Sequence, residues 1–209
     1  MMRRMKMSTK GLLVILSGPS GSGKDTVLDC VHKRDIPIQR SVSMTTRAKR
    51  DGEIDGVDYY FVTKEYFEKQ IKDKNMLESA LYSSNYYGTP KGPIDRWLAE
   101  NKTVVLKIEV QGAEKIKKIY PDSVSIFIMP PSMQILEKRL RGRDTDSEES
   151  IRMRMDAALG EMQCAEKYDY VVFNDVLEDT VDDICAIIKA EKFKSSRMKK
   201  SVREVIKNA

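Results

Sequence analysis

The run Leu12-Leu-Val-Ile-Leu-Ser17-Gly18-Pro-Ser-Gly21-Ser-Gly23-Lys24-Asp25-Thr26 joins an apolar stretch of strand length to a glycine loop that closes on a lysine. The residues after it, 27–33, space their apolar side chains as a helix does. Glycines let backbone N–H groups converge, and a helix N-terminus adds partial positive charge, so strand, loop and helix together make an anion cradle of the P-loop kind. Gly18, Pro19, Ser20, Gly21, Ser22, Gly23 and Lys24 are the expected triphosphate contacts, with Lys24 reaching the β- and γ-phosphates. Asp25 departs from the pattern: a Ser or Thr is expected after the lysine to hold Mg²⁺, and here Thr26 arrives one place late. An added carboxylate repels a polyphosphate unless it turns away or holds a metal-bound water, although an acid in a first turn suits the helix dipole. Thr26, Asp25 and, further on, Glu109 are the candidate organisers of the metal.

The alternation continues along the chain. Apolar runs at 38–42, 103–110, 123–129 and 170–173 read as buried parallel strands, with helical patterns at 94–100, 113–119, 133–140 and about 148–166, and a last one at about 180–193. Strand–helix alternation predicts a layered α/β fold on a parallel sheet. Residues 43–93 break the rhythm. Rich in Tyr, Gly and charge, with antiparallel strands expected at 58–62 and 76–83, they predict an inserted α+β subdomain. Residues 139–154, dense in charge and poor in apolar side chains, predict a mobile flap. The expected division is a flexible tail over 1–10, a core over 11–42, 94–138 and 155–193, the insert over 43–93, a lid over 139–154 and a basic C-terminal tail over 194–209.

The chain has 209 residues, 41% hydrophobic and 33% charged, which fits one soluble globular domain with insertions and excludes a disordered chain. A net charge of +5 is mild and suits a small anionic substrate as well as it suits nucleic acid. Cys30, Cys164 and Cys185 are odd in number and far apart, so neither a disulfide framework nor a zinc site is expected, and a reducing cytoplasm is the expected compartment. The first apolar run is too short to span a bilayer, and no membrane partner is expected. The basic tail reads as a solvated amphipathic helix, and no nucleic-acid partner is expected.

Ser43-Met-Thr-Thr-Arg47-Ala-Lys-Arg50-Asp-Gly52-Glu53-Ile-Asp-Gly56-Val-Asp58-Tyr59-Tyr-Phe61-Val62 sets two arginines three apart among hydroxyls and a tyrosine. Forked Arg donors with neutral hydroxyl donors suit a phosphate monoester. Glu78 follows, then Asn85-Tyr-Tyr87-Gly88-Thr89-Pro90. Together with GPSGSGK and Asn174-Asp175, these motifs strongly resemble the guanylate kinase family from about Leu12 to Asp175, a joint pattern far more specific than any one piece. The resemblance implies a P-loop NTPase three-layer fold with a five-stranded parallel sheet, an inserted α+β GMP-binding subdomain and a small helical lid. It implies ATP as phosphoryl donor, Mg²⁺ as cofactor, and GMP or dGMP as acceptor. By position, Arg47, Arg50, Tyr59 and Tyr87 match the family's GMP-phosphate clamp, and Ser43, Glu78 and Thr89 its guanine contacts. Arg139, Arg143 and Arg154 match the lid arginines, and Asn174 an adenine contact. The role of Glu78 agrees with the chemistry. Guanine shows N1–H and N2–H₂ side by side, which one carboxylate accepts together, whereas adenine shows a bare acceptor there.

Two further departures stand out. Where the family has acid-Ile-Asp at a strand end, this chain has Lys107-Ile-Glu109. Glu109 keeps a carboxylate able to organise a metal-bound water or touch guanine, while Lys107 would pair with Glu109 or Asp25, or contact phosphate. Asp144 replaces a glycine after the second lid arginine. The acceptor of a monophosphate kinase is an oxygen already anionic near neutral pH and needs no general base. The one histidine, His32, is accordingly read as structural or exposed, and Lys24, Arg139, Arg143 and Arg154 as the charge-neutralising residues. A non-catalytic interaction module of the same fold and a kinase for another nucleoside monophosphate are the alternatives; monomer and homodimer both stay open.

Overall fold

Every residue of β1 (Leu12–Ser17) is buried, and strand alternation divides them between two cores. Leu12, Val14 and Leu16 face α1 (Lys24–Lys33) and α7 (Leu177–Lys192) through Val27, Leu28, Val31, Val181, Ile184 and Ile188. Leu13 and Ile15 face the other way, onto Ile94 of α3 (Lys91–Ala99) and Ala113 and Ile116 of α4 (Val110–Ile119). A strand covered on both faces needs the unbroken apolar run seen in the sequence. The computed structural model describes residues 11–82, 84–142 and 147–207. Among them β1 lies at the centre of a five-stranded parallel sheet of order β2-β7-β1-β8-β9, with β2 (Ile38–Arg40), β7 (Thr103–Lys107), β8 (Val124–Met129) and β9 (Tyr170–Phe173). Helices on both faces complete three layers. From β1 the chain goes to β2 on one side and later to β8 on the other, so the crevice beyond the carboxyl end of β1 is where a ligand is expected.

The chain leaves this sheet at Ser41, whose N–H still donates to the Val105 carbonyl at 3.0 Å. It then enters β3 (Ser43–Thr45) of a second sheet, of order β4-β3-β6-β5, formed with β4 (Tyr59–Phe61), β5 (Met76–Tyr82) and β6 (Asn85–Pro90). β6 pairs antiparallel with both β5 and β3, but β4 runs parallel to β3, which corrects the expectation of antiparallel pairing for that strand. Residues 46–58 supply the long connection that a parallel return requires. α2 (Lys64–Lys72), capped by the Thr63 side chain, lays Phe67 against the back of this sheet, stacked on Tyr86 at 5.4 Å.

α5 (Met133–Arg141) and α6 (Glu148–Gln163), capped by Ser132 and Ser147, pack Leu136, Leu140, Ile151 and Ala158 into a small core of their own. Residues 195–207 form α8 (Ser195–Lys207), and this helix is docked: Arg197 is buried, its guanidinium donating to the carbonyls of Gly11 and Asp122. The expected tail at 1–10 lies outside the described residues. No helix among the described residues is long and apolar enough to cross a membrane.

Candidate active site

The glycine loop sits at the carboxyl end of β1. Gly23 has a φ of 90°, and a Cβ there would strike the Asn174 amide, so only glycine fits. Gly23 is also the N-cap of α1 and offers no side-chain acceptor, which leaves the first N–H groups of that helix to an anion. Gly21, with φ 86°, lets the loop settle on Leu136 and Leu140 of α5. Lys24 folds back over the loop, its ammonium donating to the carbonyls of Gly18 at 2.7 Å and Pro19 at 2.8 Å. Asn174 is buried. Its amide donates to the Ser22 carbonyl at 2.7 Å, and its own oxygen accepts from the Thr180 hydroxyl at 3.3 Å. Asn174 therefore braces the loop beside the position where the resemblance places an adenine contact.

The second sheet presents one face to this loop, and the strand register explains which residues share it. Ser43 lies opposite Tyr59 and Thr45 opposite both Phe61 and Tyr87, while Glu78 lies opposite Thr89 and Ala80 opposite Tyr87. Alternation therefore gathers Ser43, Tyr59, Glu78, Tyr87 and Thr89 on one side, with Met44, Tyr86 and Gly88 behind them against α2. The Thr89 hydroxyl donates to Glu78 at 2.7 Å. Burial pushes the Glu78 carboxyl above its ordinary range; the Thr89 hydroxyl opposes the rise and the Glu109 charge adds to it. Arg47 lies over the rings of Tyr59 and Phe61 at 5.5 and 5.7 Å, and Tyr59 meets Tyr87 edge-on at 6.0 Å. Glu53, a residue quoted in the motif but given no role there, holds Arg47 by two hydrogen bonds of 3.0 and 2.6 Å and accepts the Arg50 backbone N–H at 2.8 Å. Those bonds keep its carboxyl below the usual range. Its spacing, six after one arginine and three after the other, was the signal for this orienting role. Arg50 itself is exposed.

On the loop's other flank, Arg139 donates to the Asn174 carbonyl at 2.9 Å and keeps a second buried nitrogen with no partner among the described residues. The Arg154 guanidinium lies 3.4 Å from the Ser20 hydroxyl. Arg143 lies outside the described residues. Glu161, absent from the sequence-derived candidates, stands on α6 next to Lys24 and accepts the Ser20 backbone N–H; burial nonetheless raises its carboxyl. Its position seven residues beyond Arg154 puts both on one helix face and was the available sign.

Between the two halves stand the departures. The Lys107 ammonium meets the Asp25 carboxylate and lies 5.9 Å from the Tyr59 ring centre. Arg40 adds a second cation 3.8 Å from Asp25. Burial alone would raise the Asp25 carboxyl, but Lys107, Lys24 and Arg40 hold it below its ordinary value. Thr26 is exposed on the same helical turn. β7 ends at Lys107, not at residue 110, because Glu109 is the N-cap of α4: its two carboxylate oxygens accept from Gln111 and Gly112 at 2.6 Å each. Replacing Glu109 with alanine should cost about 1 kcal/mol of stability by loss of that cap, read as a lowered midpoint in thermal unfolding. A midpoint equal to that of the parent chain would contradict the capping role.

A glycine loop with an uncapped helix N-terminus lies near one face of the second sheet, with Lys107 paired to Asp25 and 5.9 Å from the Tyr59 ring centre; strand, loop and lysine are those of a P-loop kinase fold. Residues 10–191 match the family model described as guanylate kinase. The chain is 49% identical over 189 residues to the guanylate kinase of Carboxydothermus hydrogenoformans, covering 90% of this chain and 93% of that one. It is 47% identical over 197 residues to that of Halalkalibacterium halodurans, covering 94% and 97%. The crystal structure of guanylate kinase from Anaplasma phagocytophilum superposes with a TM-score of 0.75 at 35% identity, covering 91% of each chain. The chain belongs to the guanylate kinase family.

Proposed function

We propose that this chain transfers the γ-phosphoryl group of ATP to GMP, and to dGMP, by direct in-line displacement without a general base. The single observation that carries the acceptor is Glu78, half-buried and held by Thr89, on the same sheet face as the Arg47–Tyr59–Tyr87 cluster. A carboxylate beside a cation cluster, on one surface, fits a guanine base and a phosphate on one nucleotide. The donor reading rests on the uncapped N-terminus of α1 and on Lys24.

In this mechanism Gly18 to Gly23 cradle the triphosphate with backbone amides, and Lys24 leaves its two carbonyls for the β- and γ-phosphates. Arg47, Arg50, Tyr59 and Tyr87 hold the acceptor phosphate so that its oxygen points at the donor. Arg139, Arg143 and Arg154 neutralise charge as the lid closes and water leaves. Among the described residues no group of three His, Cys, Asp or Glu could hold a metal ion. Mg²⁺ would be held with most of its waters, by one or two protein oxygens together with the substrate phosphates. We assign the metal contact to the Thr26 hydroxyl, because Asp25 is engaged by Lys107 and Glu109 by the α4 backbone. When bound, the metal supplies positive charge to the β- and γ-phosphoryl oxygens.

ADP release measured with GMP, dGMP, AMP, CMP and UMP as acceptors tests the reading. Turnover with the two guanine nucleotides and a rate lower by about 10³-fold or more with AMP is the expected result. Equal turnover of AMP and GMP would replace it with a broad monophosphate kinase, and no turnover of any acceptor with an interaction module.

A further inference from the structure

The two departures next to the phosphate loop touch each other. Asp25 stands where a Ser or Thr is expected and Lys107 where an acid is expected, and their side chains form an ion pair across 82 positions of sequence. A hydroxyl with an acid would carry one negative charge; Asp25 with Lys107 carries none.

Lys107 is no surface lysine. Its side chain is 21% exposed, at the end of a strand buried on both faces. On one side it is held by the first turn of α1, and on the other it approaches Tyr59, whose ring also meets Tyr87 and underlies Arg47. The geometry points to Lys107 as a further cationic residue of the acceptor-phosphate subsite, with Asp25 as the residue that positions it. This rests on the GMP reading of that subsite. A nucleoside monophosphate brings a dianion to the Arg47–Tyr59–Tyr87 cluster, and the donor brings a second polyanion from the loop. A cation fixed between the two opposes their repulsion before transfer and needs no rearrangement during it. Asp25 fixes it there: a lysine stem is flexible, and one carboxylate in a helix removes most of that freedom. The same pairing explains how an acid is tolerated beside a polyphosphate, because Lys107 and Arg40 offset its charge.

The test combines steady-state kinetics with calorimetric binding of GMP in the absence of ATP, for Lys107→Met, Lys107→Arg, Asp25→Ser and the double variant Asp25→Ser/Lys107→Met. Lys107→Met should weaken GMP binding about tenfold and lower kcat about tenfold or more, with the KM for ATP within about twofold. Lys107→Arg should recover most of both. Asp25→Ser should show a smaller loss on the GMP side, and the double variant should be no worse than Lys107→Met, because Asp25 acts through Lys107. Unchanged GMP affinity in Lys107→Met, or a Lys107→Arg variant as poor as Lys107→Met, would overturn the assignment and leave a structural strut. Losses that multiply in the double variant would overturn the positioning role of Asp25. If the parent chain binds GMP without turning it over, the kinase reading fails, while the binding measurements still decide Lys107.

Discussion

Lys24→Met should lower kcat by about 10³-fold, with a much smaller change in the KM for GMP. The lysine stem keeps its length in methionine, so the packing under the loop is preserved while the charge is removed. Lys24 donates to the Gly18 and Pro19 carbonyls, acceptors that the loop leaves turned inward. In the proposed mechanism that ammonium exchanges two neutral carbonyls for the phosphoryl oxygens on which charge builds, and the exchange is worth most in the transition state. Glu161 sharpens the expectation: its carboxyl lies beside Lys24. Without the lysine that carboxylate loses the cation beside it, and a triphosphate meets more repulsion there. Single-turnover and steady-state assays with GMP saturating read the effect. A loss below about tenfold would mean that the arginines carry the charge neutralisation alone.

The strand-loop-helix unit was legible in the sequence because local and tertiary requirements coincide there. Leu12–Ser17 is apolar throughout since it is covered on both faces, and Gly23 is glycine both for its φ and for the approach of Asn174. The face of the second sheet was legible for a similar reason: Glu78, Tyr87 and Thr89 were identified by motif, and pairing across β5 and β6 brings them together. Less could be read where one residue serves two possible ends. Ile108, Glu109 and Val110 continue an apolar strand pattern, yet a carboxylate three residues before Gly112 caps a helix instead. β4 could not be oriented from composition, because direction is set by the length of the connection 46–58 rather than by its own three residues. Arg197 in the basic tail looked solvated for want of any local sign that carbonyls of Gly11 and Asp122 would receive it. Lys107 was read with its partner undecided, and only the fold brings Asp25 to it.

Glu78→Gln should reduce kcat/KM for GMP by about 10³-fold and leave the KM for ATP nearly unchanged. The amide keeps the shape and can still accept the Thr89 hydroxyl. It presents one acceptor where guanine needs two, however, and sets an N–H₂ against a base donor. Rates with AMP should hold or rise, so selectivity falls by at least as much as the GMP rate. The carboxyl also predicts a pH signature. Burial and Glu109 raise it above its ordinary 4.5, so the free protein begins to take up a proton at Glu78 at a higher pH than an exposed glutamate would. Two base N–H donors favour the ionised form, so GMP binding releases that proton, and affinity should weaken as the pH falls through the raised value. GMP titrates too, and the Gln variant, which keeps the nucleotide's contribution and loses the protein's, isolates the part due to Glu78. Stability carries the opposite sign. The folded chain binds the proton more tightly than the unfolded one, so the Glu78 contribution to stability declines as the pH rises from 4.5 through the raised value. At neutral pH a half-buried carboxylate therefore works against the fold, and Glu78→Gln should unfold at the same temperature as the parent or a higher one. A variant that lost GMP selectivity together with its thermal midpoint would mark Glu78 as a structural residue, and the guanine assignment would fall with it.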